Sequence, residues 1–232
     1  MAKTPSNRQR QGALQARDLR GDDTRDRLVK AGLRLFGHHG VNGVSTRELA
    51  QEAGVNLAAI PYHFGSKEGV YLAVAQRVVD TVKQEILPVI DRVNAGIDQS
   101  PQDRDAMVKS MVRMMTSTMR TLLRNPDRLS VSLFIAREQM QPSDAFQILY
   151  EGFIKPVTAT YSRLVAILRG LPAADPRVGI EVQMLVGQVL IFSIGREALL
   201  RRMHWKDIAE QEIRQIEAIV DDVVHRQFGV AG

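Results

Sequence analysis

"VNLAAIPYHFGSKEGVY", residues 55–71, runs from a short apolar segment through a proline and three consecutive ring side chains into a fresh helix start. Asn56 can cap a helix from Leu57 to about Phe64, only two turns long. Gly65-Ser66 breaks it, and Ser66 caps the helix that follows. A phenol, an imidazole and an ammonium (Tyr62, His63, Lys67) thus collect where one helix ends and the next begins. Hydroxyl, cation and the free N–H groups of a helix start are what a phosphate clamp requires.

Upstream, "STRELAQEAG" (45–54) opens with Ser45 and Glu48 in capping-box spacing and closes on Gly54, where a left-handed turn is needed. Before it, Leu28, Ala31, Leu35 and Phe36 share a helical face that ends at "HHG", with Gly40 as the C-cap. Helix, tight turn and short helix make a helix-turn-helix. Ala50 is small enough for the close crossing, and Ile60 returns an apolar side chain to the core.

Downstream, Val70, Val74, Val78, Val82, Ile86 and Val93 form the buried stripe of one long helix, which Pro88 should kink or end. Further helices are expected at about 104–125, 127–140, 144–169 (kinked at Pro156), 176–203 and 206–228. Only 131–136, "VSLFIA", looks strand-like. The fold class is therefore all-α, about nine helices: a basic flexible arm over 1–22, a three-helix domain over 23–70, and a larger helical body over 71–232.

Charge is unevenly placed. Residues 1–70 hold 11 Lys/Arg against 7 Asp/Glu, whereas residues 71–232 hold 20 against 19. A basic end on a nearly neutral body suits a polyanion partner. In the arm, Arg8, Arg10, Arg17 and Arg20 either track phosphates or enter a minor groove, or are simply solvated. The chain has no cysteine, which excludes disulfides and thiolate metal sites and fits a reducing cytosol. No apolar run reaches the ~18 residues of a membrane span and the start lacks a signal-peptide core, so a cytoplasmic location without membrane contact is expected. The five histidines form no HExxH, and Walker, GxSxG and dinucleotide fingerprints are missing. No enzyme, cofactor or metal is expected.

Residues 24–71, from "TRDRLVKAGLRLFGHHGVNGVSTRELAQEAGV" through "YHFGSKEGVY", resemble the DNA-binding domain of the TetR family of transcriptional regulators. "VNLAAIPYHFGSKEGVYLAVAQ" with "GQVLIFSIGREALLRRMHW" is similar to its CecR-type subgroup. The resemblance implies phosphate contacts by Thr46, Tyr62, His63 and Lys67, and a phosphate or base contact by Arg47. Ala58 and Ala59 would approach base edges, with Asn56 beside them. Taken singly, Tyr62 and His63 also read as packing against the first helix, and Lys67 as a solvated helix-start residue. Pro61 stands where many members carry an aromatic or polar residue; it offers no hydrogen bond and costs ~3 kcal/mol in a regular helix interior.

The resemblance also implies a homodimer that binds a double-stranded DNA operator and a small-molecule effector, most simply as a repressor released by that effector. A helical binding or interaction module without specific DNA binding is the alternative. Met111 and Met115, Phe146, Tyr150 and Phe153, and Met184, Gln188 and Phe192 are the expected pocket residues; a methionine stripe at helical spacing equally reads as plain core. Val182, Leu185 and Val189 with Ile213, Ile216, Val220 and Val224 are the expected dimer stripes, or else ordinary intramolecular core.

Overall fold

A computed structural model describes residues 7–124 and 127–229, with side chains from Gly21 onward apart from Arg128. Those residues contain helices and turns and no strand. In order they are α1 (Asn7–His39), α2 (Thr46–Ala53), α3 (Ala59–Phe64), α4 (Lys67–Gln99), α5 (Arg104–Arg124), α6 (Arg128–Met140), α7 (Asp144–Leu149), a π-helical turn (Tyr150–Ile154), α8 (Lys155–Arg169), α9 (Pro176–Ile194), α10 (Arg196–Met203) and α11 (Glu210–Phe228). The expected arm lies outside the described residues up to residue 6. From Asn7 its backbone is already that of α1, while the side chains of Arg8, Arg10, Arg17 and Arg20 are not described.

Two differences from the expected helix count have physical causes. The 144–169 run stays helical, but Pro156 has no N–H to give and its ring crowds the carbonyl four residues back. The chain accommodates this by widening just upstream: the Lys155 N–H reaches Tyr150 O, a five-residue step. Gly195 divides the expected 176–203 helix into α9 and α10. The strand-like 131–136 stretch lies inside α6, and Pro88 does not end α4, which runs 33 residues from the helix-turn-helix deep into the body.

Leu28, Phe36, Leu49, Ile60 and the α4 valines close one continuous core with the methionines of α5. α1 lies along α6, and the crossing is tight: a Cβ on Gly37 would stand 2.7 Å from the Ser130 carbonyl oxygen. Gly37→Ala should therefore destabilise the fold by about 1–3 kcal/mol, read as a lower urea midpoint at unchanged slope. An unchanged midpoint would show that the two helices can separate there without loss.

Candidate functional site

The turn between α2 and α3 is built by its glycine. Gly54 sits at φ 61, and the Gly54 and Val55 N–H groups return to Gln51 O and Ala50 O, closing α2 in the six-to-one pattern that favours glycine. Arg27 on α1 donates to the Gly54 carbonyl at 2.6 Å, fastening the turn from below. Ala50 and Ile60 are buried where the helices meet. At the other end of α2, the Ser45 hydroxyl accepts from the Glu48 N–H and Glu48 accepts from the Ser45 N–H. That backbone hydrogen bond holds the Glu48 carboxyl below its usual range.

α3 is shorter than its sequence suggests. Asn56 Oδ1 accepts from the Ala58 N–H at 2.9 Å, but this caps a turn, and α3 proper begins at Ala59. Pro61 is consequently the third residue of the helix, where its missing N–H forfeits no intrahelical bond. The hydrogen-bond part of the cost expected for it does not arise.

Thr46, Arg47, Asn56, Ala58 and Tyr62 are exposed, and Ala59, His63 and Lys67 half-buried, so all eight expected DNA residues reach the surface around α2, α3 and the start of α4. Tyr62 is 75% exposed and touches the His63 ring edge-on at 4.8 Å. Phe64 is the anchor, packed against the core beneath the Arg25 guanidinium. Lys67 is more constrained than a solvated lysine: its Nζ donates to Val44 O at 2.9 Å. That bond ties α4 to the loop entering α2 and leaves two ammonium protons for an outside acceptor. The sequence carried no signal for this bond, since Val44 contributes only its backbone.

A second feature lies in the body. A cavity of about 70 Å³ is enclosed by α4 (Val82, Ile86), α5 (Thr118, Thr121, Leu122), α6 (Ile135, Gln139), the π turn and α8 (Phe153, Ile154, Val157, Thr158, Tyr161) and α9 (Val186, Val189, Leu190). No charged side chain faces it; hydroxyls and the Gln139 carboxamide are its polar groups. Tyr161 is fully buried, its hydroxyl kept protonated above the usual range by burial. Among the described residues no three histidine or acidic side chains gather as metal ligands.

Of the eight expected pocket residues only Phe153 lines this cavity. Met111 and Met115 are core, because the α5 methionine face points at the chain's own centre and the cavity lies along the neighbouring face with Thr118 and Thr121. Phe146 and Tyr150 stack on each other at the surface side of α7, Met184 and Gln188 point into solvent, and Phe192 is half-buried elsewhere. The seven expected dimer residues are likewise turned inward. Val182, Leu185, Ile213, Ile216, Val220 and Val224 are buried within the chain, and Val189 is cavity wall. What faces out instead is a second apolar stripe on α9 (Ile180, Met184, Ile191, Ile194) together with Ile219 of α11. Its spacing of four, seven and three residues was the available signal: α9 is apolar on both sides.

Comparison with known proteins fits this geometry. Residues 28–74 match the family described as bacterial regulatory proteins, tetR family, and residues 107–229 match the C-terminal domain of the HTH-type transcriptional dual regulator CecR. The chain is 34% identical over 205 residues to the CecR regulator of Shigella flexneri, covering 88% of this chain and 91% of that protein. It is 30% identical over 155 residues to the BetI regulator of Agrobacterium fabrum, covering 60% and 75%. Two solved structures share the fold: AibR in complex with isovaleryl coenzyme A and operator DNA (TM-score 0.60, 18% identity, 89% and 98% covered), and the hemolysin II transcriptional regulator HlyIIR (TM-score 0.53, 17% identity, 88% and 97% covered).

Proposed function

The chain belongs to the tetR family of bacterial regulatory proteins and carries the CecR-type C-terminal domain, which makes it a DNA-binding transcriptional regulator; from that premise we propose a cytoplasmic homodimer that represses from a two-fold operator and is released by a small uncharged effector. The observation that carries the DNA half is the exposed row from Thr46 and Arg47 through Ala58 to Tyr62, with the half-buried Lys67 beside it, held on glycine and lysine fastenings. Two copies pair through the outward faces of α9 and α11, so that two short α3 helices read half-sites about one DNA turn apart. We assign no catalytic step, in keeping with relatives that are regulators.

The effector half rests on α6. Ile135 and Gln139 of this helix line the cavity, while Phe134 and Glu138, one position earlier, meet Tyr71 of α4 by ring contact at 4.9 Å and by hydrogen bond at 2.6 Å. The same helix lies along α1 at the Gly37 crossing. A ligand that prefers a shifted α6 thereby shifts the ends of α1 and α4 that carry the helix-turn-helix, and operator binding and effector binding oppose each other. The cavity lining favours an apolar molecule with one or two hydrogen-bonding groups.

The test is selection of genomic DNA fragments by the purified parent and by Ala58→Asn. The parent should enrich a short two-fold-symmetric site. Ala58→Asn should enrich the same spacing with an altered base, adenine being the expected gain because an asparagine amide pairs with its N6 and N7 for about 1–3 kcal/mol of discrimination. No enrichment by either protein, at low and moderate salt, would reject the operator reading.

A further inference from the structure

The stretch that the operator reading sets against the bases has nothing with which to hydrogen-bond them. Leu57, Ala58 and Pro61 are exposed and Ala59 is half-buried, and none of the four side chains carries a donor or an acceptor. The backbone donors are equally spent. The Ala58 N–H goes to Asn56 Oδ1 at 2.9 Å and the Ala59 N–H to Asn56 O at 2.9 Å. The Ile60 N–H reaches Leu57 O at 3.3 Å and the Tyr62 N–H reaches Ala58 O at 3.2 Å, while Pro61 has no N–H to offer. Ile60, 1% exposed, is turned into the core. Asn56 already spends its oxygen on the Ala58 N–H, the same atom that a paired amide contact with adenine requires.

What this face presents is apolar surface. Leu57, 45% exposed, and Pro61 stand four residues apart on the turn that opens α3, with Ala58 between them. The apolar feature of a major-groove edge is the C5-methyl group of thymine. We infer that this regulator reads methyl groups: Leu57, Ala58 and Pro61 recognise thymine through its C5-methyl, and they accept 5-methylcytosine, which carries the same methyl at the same ring position, as they accept thymine. Leu57 thereby joins the residues that set sequence preference. Cytosine methylation at such a position turns a poorly bound sequence into a well bound one, with no change in the protein.

This rests on the operator reading above, and the test starts from the site that the parent enriches. Each thymine of the half-site is replaced in turn by uracil, by cytosine paired with guanine, and by 5-methylcytosine paired with guanine, symmetrically in both half-sites. Affinity of the full-length protein is then measured at one salt concentration. A buried methyl group contributes about fourfold to affinity, so at a thymine beneath this face uracil should bind about fifteenfold more weakly in the two-fold site. The 5-methylcytosine duplex should stay within about twofold of thymine, and cytosine should fall with uracil, because the methyl is the group that is read. Leu57→Ala trims an exposed side chain, so its thermal midpoint should hold while the gap between thymine and uracil closes to within about twofold at one position. Uracil that bound like thymine at every position would overturn the methyl reading and leave the operator standing. Thymine and uracil together above both cytosines would overturn it as well, since hydrogen-bonding edges would then be what is read. A gap undiminished at every position in Leu57→Ala would overturn the role of Leu57, and a parent that enriches no site would remove the operator and this inference with it.

Discussion

Alanine at Tyr62 and Lys67 together should lower operator affinity about 10³-fold, because on the proposed contacts a dimer loses four bonds to phosphate worth about 1 kcal/mol apiece. The two side chains sit at the end of α3 and the start of α4; Lys67 has a hydrogen-bond partner in the Val44 carbonyl, and Tyr62 a ring contact with His63. The salt dependence separates a contact role from a structural one. Each lysine ammonium that meets a phosphate contributes about 0.9 to the slope of log affinity against log salt, so the dimeric variant should lose about two units. Loss of the bond to Val44 alone would lower stability and leave that slope where it was. Filter-binding at four salt concentrations, with thermal midpoints for both proteins, decides the matter; an unchanged slope sinks the phosphate assignment for Lys67.

How much of this was readable before the structure depended on whether the signal was local. Ser45 with Glu48, Gly54, Gly40 and Ser66 are caps and turns whose chemistry acts over three or four residues, and each occurs where its spacing placed it. The α4 stripe was equally legible, since Val70 through Val93 pack on one side of an unbroken helix. The body was not. A methionine row on α5 says that one face is buried, but core and cavity wall are both buried faces, and only the neighbouring helices decide between them. On α9 the inward stripe and the outward stripe are both apolar, and periodicity cannot tell which one the chain keeps for itself. Lys67 shows the same limit at the DNA-binding end: its place at the start of α4 was readable, its backbone partner 23 residues away was not. Pro61 is the opposite case, a missing N–H that costs no helix bond because α3 begins two residues later than its cap suggests.

Glu138→Ala should produce the largest loss of stability of any single polar substitution in the body, about 3–5 kcal/mol, or on the order of 10 °C in midpoint for a chain of this size. The carboxylate is 1% exposed and accepts from the Tyr71 hydroxyl at 2.6 Å and from the Ser143 N–H and hydroxyl at 3.0 Å, joining α4, α6 and the cap of α7. Alanine strands the buried Tyr71 hydroxyl and takes away the partner of the exposed Ser143 cap, and an unsatisfied buried donor costs about 1–3 kcal/mol. The sign of a second change follows. On the parent background Tyr71→Phe removes a satisfied hydrogen bond and should destabilise; on the Glu138→Ala background it removes a stranded hydroxyl and should stabilise by about 1 kcal/mol. The same pair contributes to alkaline behaviour, beside the buried Tyr161. Burial, then the hydrogen bond to Glu138, keep the Tyr71 hydroxyl protonated above its usual range. As pH rises past about 10 the unfolded chain ionises this tyrosine and the folded one does not, so stability falls, and it should fall less steeply in Tyr71→Phe. Urea midpoints of the four proteins of the cycle, at neutral pH and again near pH 10, contain the whole test. Additive losses in the double variant would mean that Tyr71 and Glu138 do not depend on each other, and α6 would then have to reach the helix-turn-helix through its packing on α1 and the Phe134–Tyr71 ring contact.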